Sequence, residues 1–203
     1  MKRFLAAAVL VVAAGCLPSG GTREAQRFYI LGAPEPKPPA AVVPSPTTLV
    51  VPPTGTANFY DTQDIVFSRS PGTRAYYQFN SWTERPGRAI HELLLSRLEH
   101  SGAFKAVVGT DRPIANGLVL RTDLEEIYHD AATPPGEARI VLVAELFDAS
   151  RNVSLARRSF SQSAPAPTFD AQGAVEGFRQ ALGALLDQVV GWVIEQQAPA
   201  KVL

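Results

Sequence analysis

The residues that could attack, transfer protons or ligate a metal are few in this 203-residue chain: three histidines, one cysteine and some adjacent acids. His91-Glu92 begins like a zinc-protease helix, but the second histidine of that motif belongs four residues after the first, where Leu95 stands. His91 and His100 are nine residues apart on a predicted helix, half a turn out of phase, and point from opposite sides. His129, beside Asp130 at the end of a predicted strand, is expected in a surface turn. The chain carries no Gly-x-Ser-x-Gly elbow and no glycine-rich phosphate cradle. Glu125 and Glu126 are strand neighbours, so their carboxylates are expected on opposite sides of the sheet. These patterns predict no catalytic set, no metal site and no enzyme. The remaining group is the thiol of Cys16, directly after Ala13-Ala14-Gly15, where alkylation by a lipid is the fitting chemistry.

The surroundings of Cys16 carry that reading. Lys2 and Arg3 give a positive start, Phe4 to Ala14 an apolar stretch, and small residues lead to the cut, so residues 1–15 read as a signal peptide. A membrane-spanning helix needs about 20 apolar residues, and this run stops short of that before Pro18. The stretch resembles a bacterial lipobox, with Ala13 where Leu is usual. Processing of a lipobox implies a diacylglyceryl thioether on Cys16 and a fatty acyl group such as palmitate on its freed amine; this covalent lipid is the only cofactor-like group expected. One chain holds a protein at a bilayer marginally, whereas two or more hold it stably. Residues 16–26 form the acylated tether. Its ten residues from Leu17 to Gln26 reach at most about 35 Å, so the folded body stays near the membrane. In bacterial lipoproteins Asp after the acylated Cys retains the protein at the inner membrane; Leu17 here implies the outer membrane, periplasmic face.

Without the leader the chain has 17 basic and 19 acidic residues and no basic run, so a nucleic-acid partner is not expected. With 46% apolar residues and no second cysteine, a hydrophobic core must hold the fold without disulfides. Residues 27–195 are expected to be one domain, and 196–203 a tail.

Six prolines between Ala33 and Pro46 exclude a helix or interior strand and predict an extended connector over 33–46. Strands are predicted at Arg27 to Leu31, Thr48 to Val51, Ile65 to Arg69, Arg74 to Trp82, Phe104 to Val108, Leu118 to Tyr128, Arg139 to Phe147 and Val153 to Ser161. Ser70-Pro71-Gly72-Thr73 supplies a hairpin turn. In the Leu118 strand, Leu118, Leu120, Leu124 and Tyr128 are expected on one buried face. Pro86 suits a helix start, Ile90, Leu93, Leu94 and Leu98 form its stripe, and Gly102 ends it. A second helix is predicted from about Asp170, its N-cap, to Glu195. The sum is an α+β fold: a mostly antiparallel sheet with two amphipathic helices on one face.

Two further features bear on partners. Gly173 and Gly177 make a small-xxx-small pair, expected to serve packing inside the domain. Tyr60, Tyr76, Tyr77 and Trp82, with Phe59, form the densest aromatic region; such residues are more often core, and the other reading makes them the candidate partner-binding surface, since Tyr and Trp anchor interfaces.

From Tyr29-Ile30-Leu31-Gly32 onward the order of motifs resembles the ABC-type transport auxiliary lipoprotein family, which includes the lipoprotein of the paraquat-inducible lipid-transport system. The landmarks are Asp64-Ile65-Val66-Phe67-Ser68-Arg69, Tyr76-Tyr77-Gln78-Phe79, Trp82-x-x-x-Pro86, Ser101-Gly102-Ala103-Phe104-Lys105-Ala106-Val107, Ala144-Glu145-Leu146-Phe147-Asp148 and Trp192 in the last helix. The chain departs from the family in its long proline connector and in having one proline before the first helix where two are common. The resemblance implies a non-catalytic component of a lipid transporter, working with an ABC ATPase, a permease and a periplasm-spanning MCE-domain protein. The lipoprotein would dock the far end of the MCE protein at the outer membrane, and assembly into a homo-oligomeric ring around that end is compatible with the aromatic surface. The competing expectation is an outer-membrane assembly or pilot lipoprotein for a complex unrelated to lipids.

Overall fold

The computed structural model describes residues 25–36, 44–110 and 117–197. Cys16, the leader, most of the tether, half of the connector and residues 198–203 of the predicted tail lie outside the described residues. In chain order the elements are β1 (Arg27–Tyr29), β2 (Ser45–Val51), β3 (Gly55–Thr56), a 3-10 turn (Asn58–Tyr60), β4 (Asp64–Ser68), β5 (Ala75–Trp82), α1 (Pro86–His100), β6 (Phe104–Gly109), β7 (Leu118–Asp130), β8 (Glu137–Asp148), β9 (Val153–Pro165) and α2 (Ala171–Gln197).

The 13-residue β7 is the spine. One edge pairs antiparallel with β8 from Leu118–Asp148 to Asp130–Glu137, and β8 pairs likewise with β9. This is the meander the alternating pattern predicts. The other edge of β7 is shared by three short strands, all parallel to it: β2 at Leu118 and Val119, β3 at Asp123 and Leu124, β4 at His129 and Asp130. From there β2 continues to β6, and β4 continues through β5 to β1. The class is α+β and the sheet is mixed. Its longest ladders are antiparallel, while the short N-terminal strands pair in parallel with residues far along the chain.

Several boundaries differ from the sequence reading for identifiable reasons. β2 begins at Ser45, because a register shift between Ser45 and Thr48 accommodates Pro46. β9 runs on through Pro165, which an edge strand tolerates because the absent N–H can face away from the ladder. The larger departure is in β7. Its register shifts between Leu124 and Glu126, so one residue is inserted and the alternation changes phase. Leu120, Thr122 and Leu124 point inward before the shift, and Ile127 and His129 after it. Tyr128 therefore does not share the face of Leu124, as strict alternation expects, but lies with Glu126 on the other.

The helices follow their stripes. Ile90, Leu94 and Leu98 of α1 are fully buried, and Gly102 with φ of 61° lets the chain leave the helix in the left-handed region. Asp170 caps α2: its Oδ1 accepts the Gly173 N–H at 2.8 Å, which holds its carboxyl below the usual carboxylate range. α2 packs on β8 and β9, α1 on β6, and the helices touch each other. The close approach of α2 depends on Gly177, where a Cβ would stand 2.9 Å from Ala138 Cβ and 3.1 Å from the Ala164 carbonyl. The small-xxx-small pair thus serves packing within the fold. Arg97 of α1, 5% exposed, pairs with Asp187 of α2 and donates to the Pro34 carbonyl. Pro34 in turn lies against Gly183 of α2, so the start of the connector is clasped between the helices.

Candidate functional site

The four aromatic residues of the candidate surface separate by depth. Trp82 is 1% exposed and packs edge-on to Phe178 of α2 at 5.6 Å. Tyr60 is also buried, and burial raises the pKa of its hydroxyl. Neither offers a surface for a partner, so for these two the core reading replaces the candidate partner-binding one: both belong to the hydrophobic core, where large aromatic side chains gain most from losing water. Tyr77 is half-buried, and Tyr76 is exposed at 42%.

Tyr76 does not stand alone. Its ring stacks on that of Phe59, equally exposed, with centroids 5.0 Å apart and planes 12° from parallel. Phe59 meets Tyr60 edge-on at 5.6 Å. Beneath them Arg74 ties the turn to β7. Its Nε donates to the Tyr60 hydroxyl at 3.0 Å, its Nη2 to Glu126 at 3.2 Å, and its guanidinium lies 3.7 Å over the Tyr128 ring. Arg85 and Asp61 pair at 3.2 Å, Asp61 being next in chain to Tyr60. The result is an aromatic ledge of two outward rings on a cross-linked base. Because its rings are already stacked, little side-chain entropy remains to be lost on binding. Reading alternate residues missed Arg74, Glu126 and Tyr128. The signal was present in Glu125-Glu126, two successive acids inside an apolar strand, which a bulge accommodates.

Next to the ledge, Tyr77 faces inward to His129. His129 is fully buried, not in a surface turn, because the bulge in β7 turns it to the core side. Its Nε2 lies 2.9 Å from the Pro135 carbonyl, which can only accept, so Nε2 carries the proton. Nδ1 then accepts from the Tyr77 hydroxyl at 2.7 Å. Burial lowers the His129 pKa and, with the nearby Asp170 charge, pushes Tyr77 up to about 12. The two groups satisfy each other's hydrogen bonds, an arrangement that ties β5 to β7.

Among the described residues no group of three His, Asp or Glu side chains could hold a metal ion. No described helix is long and apolar enough to cross a membrane. His91 is half-buried against Gly109, and exposed His100 turns its Nδ1 to the Ser96 carbonyl at 2.9 Å; the two do not meet. An open groove of about 830 Å³ lies between Ser45, Gly117, Asp148 and Gln196, and its charged lining groups, Asp148 and Arg151, pair with each other at 3.7 Å.

The model of the ABC-type transport auxiliary lipoprotein component matches residues 29–190, from the end of β1 into α2, leaving out the last part of that helix. The chain belongs to this family. Among solved structures, the auxiliary domain is similar to the protein XCC0632 from Xanthomonas campestris, at 23% identity and a TM-score of 0.76, covering 84% of this chain and 95% of that one. An uncharacterized protein is similar at 13% identity and a TM-score of 0.62, covering 85% and 99%. At these identities the likeness shows the fold alone. No curated protein matches the sequence. As an auxiliary lipoprotein component of ABC transport, the chain is associated with a transporter and with a membrane.

Proposed function

We propose that this auxiliary lipoprotein is a non-catalytic docking component of an intermembrane lipid transporter. It is anchored through acyl groups on Cys16 at the periplasmic face of the outer membrane, and it holds the end of a periplasm-spanning MCE-domain protein there. The ATPase and permease act at a distance through that protein. The observation that carries the reading is the family match over nearly the whole folded domain, joined to the exposed, stacked Phe59–Tyr76 ledge. Stacked aromatic side chains on a rigid base, rimmed by the Arg85–Asp61 pair, suit the centre of a protein interface. Such a dock needs neither cofactor nor metal, and a ring of identical copies would multiply it around the MCE end.

The test is crosslinking in outer-membrane preparations followed by purification through this chain. Recovery of an MCE-domain protein, lost when Phe59 and Tyr76 are both replaced by Ser, is the expected result. Recovery of a different outer-membrane complex in its place would favour an assembly role and overturn the proposal.

A further inference from the structure

β1 is an edge strand, and the tether leads directly into it. Its pattern is apolar on both sides. Tyr29 is half-buried and Leu31 is 4% exposed on the inward side, while Phe28 and Ile30 project outward at 64% and 74%, more exposed than the other large apolar side chains described. An outward-facing pair of this kind on a free edge is ordinarily polar, because apolar surface left in water forfeits burial and invites pairing with other chains. The tether decides what can cover it. Phe28 stands 12 residues after Cys16, so it lies within about 43 Å of the anchored sulfur along a fully extended chain and closer along any other path. The bilayer surface is therefore the apolar phase always within its reach, at an effective concentration no diffusing partner matches. Arg23 and Arg27 precede this stretch, with one acid, Glu24, between them, and Arg27 also lies near the Asp170 carboxylate. That charge suits anionic lipid headgroups.

We infer that Phe28 and Ile30 form a second membrane contact, dipping into the headgroup and acyl boundary of the leaflet that holds the acyl chains. This seats the β1 edge on the membrane and fixes how the domain is turned. The inference rests on the anchoring at Cys16 proposed above. β9 is another edge strand of the sheet, and its Leu155 is exposed at 44%.

The test uses acylated full-length protein in vesicles of phosphatidylethanolamine and phosphatidylglycerol. With Cys16 consumed by its thioether, Ile30→Cys supplies one free thiol for a nitroxide label, and Leu155→Cys supplies the comparison. The expected result is that the label at position 30 collides more with oxygen and less with a water-soluble nickel chelate than the label at 155. Equal, water-like collision rates at both positions would overturn the inference, as would a label at 30 immobilised but shielded from oxygen, which signals a protein partner. A second arm uses Cys16→Ser protein without acyl chains. Its flotation with the same vesicles should fall about tenfold or more in Phe28→Ser/Ile30→Ser with unchanged circular dichroism, and equal flotation would overturn the inference. Failure of the anchoring itself is read separately, as an intact mass with no acyl addition.

Discussion

The Tyr77 hydroxyl donates to His129 Nδ1 at 2.7 Å, joining β5 to the spine strand β7 through a fully buried ring. Removing the hydroxyl in Tyr77→Phe leaves Nδ1 without its donor in a site that excludes water. The expected cost is about 1–3 kcal/mol, read from the urea midpoint at neutral pH. A shift below a few tenths of a kcal/mol would mean that the bond contributes nothing net.

The same ring sets a pH dependence. Burial lowers the folded His129 pKa below its ordinary 6.5, so the unfolded chain binds the additional proton as pH falls. Stability from this group is complete above about pH 6.5 and declines as pH drops through the lowered folded value. Unfolding midpoints measured from about pH 8 to pH 5 should show this slope, and His129→Gln should flatten it. Asp170, held below the usual carboxylate range by the Gly173 N–H, has the same sign in a lower window. Its contribution is complete above about pH 4 and is lost in stronger acid.

Two glycines of α2 should respond in opposite directions. A side chain at Gly177 collides with Ala138 and the β9 backbone, so Gly177→Val should cost about 1–3 kcal/mol or more by forcing the helix off the sheet. At Gly191 nothing lies within 4 Å of the added Cβ, and Gly191→Ala should stabilise by about 0.5–1 kcal/mol through helix propensity. Thermal unfolding of both variants checks the pair.

Arg97 is 5% exposed and Asp187 is 34% exposed, so the two ends of their ion pair are not equivalent. Asp187→Ala strands a buried guanidinium and is expected to cost about 2–4 kcal/mol, whereas Arg97→Met fills the same space without a charge and should cost less. Chemical denaturation of the two single variants decides the order. The reverse order would place the main value of Arg97 in its bond to the Pro34 carbonyl.

The ledge and the core beneath it should separate by readout. Phe59→Ser with Tyr76→Ser is expected to change stability by no more than about 1 kcal/mol while abolishing capture of the transporter partner. Trp82→Ala should cost about 3–5 kcal/mol through the cavity it leaves beside Phe178. Parallel denaturation and crosslinking of both variants test this.

Much of the architecture was legible in residue order. Pro86, the Ile90–Leu94–Leu98 stripe and Gly102 define α1 from within, because a helix is determined by its neighbours in sequence. The antiparallel β7–β8–β9 meander follows likewise from period-two alternation and short turns. The parallel pairing of β2, β3 and β4 with β7 was not legible, since nothing local in a strand announces a partner so distant along the chain. The site was legible in part. Tyr76 and Phe59 lie at the surface as an aromatic cluster can, whereas Trp82 shows that cluster membership does not reveal depth. The phase change in β7 accounts for the errors at Tyr128 and His129, because a single inserted residue exchanges every face after it.

The shared edge of β7 has a temporal consequence. Its partners in β2, β3 and β4 precede it by about 60–70 residues, so these three parallel pairings wait until Leu118–Asp130 has emerged, although β4–β5 and β2–β6 can pair before it. On the proposed reading of Cys16 as the lipidated residue, a chain exported amino end first would reach the processing enzymes before those three pairings can form. Completion of the sheet would then follow the step that fastens the protein in place.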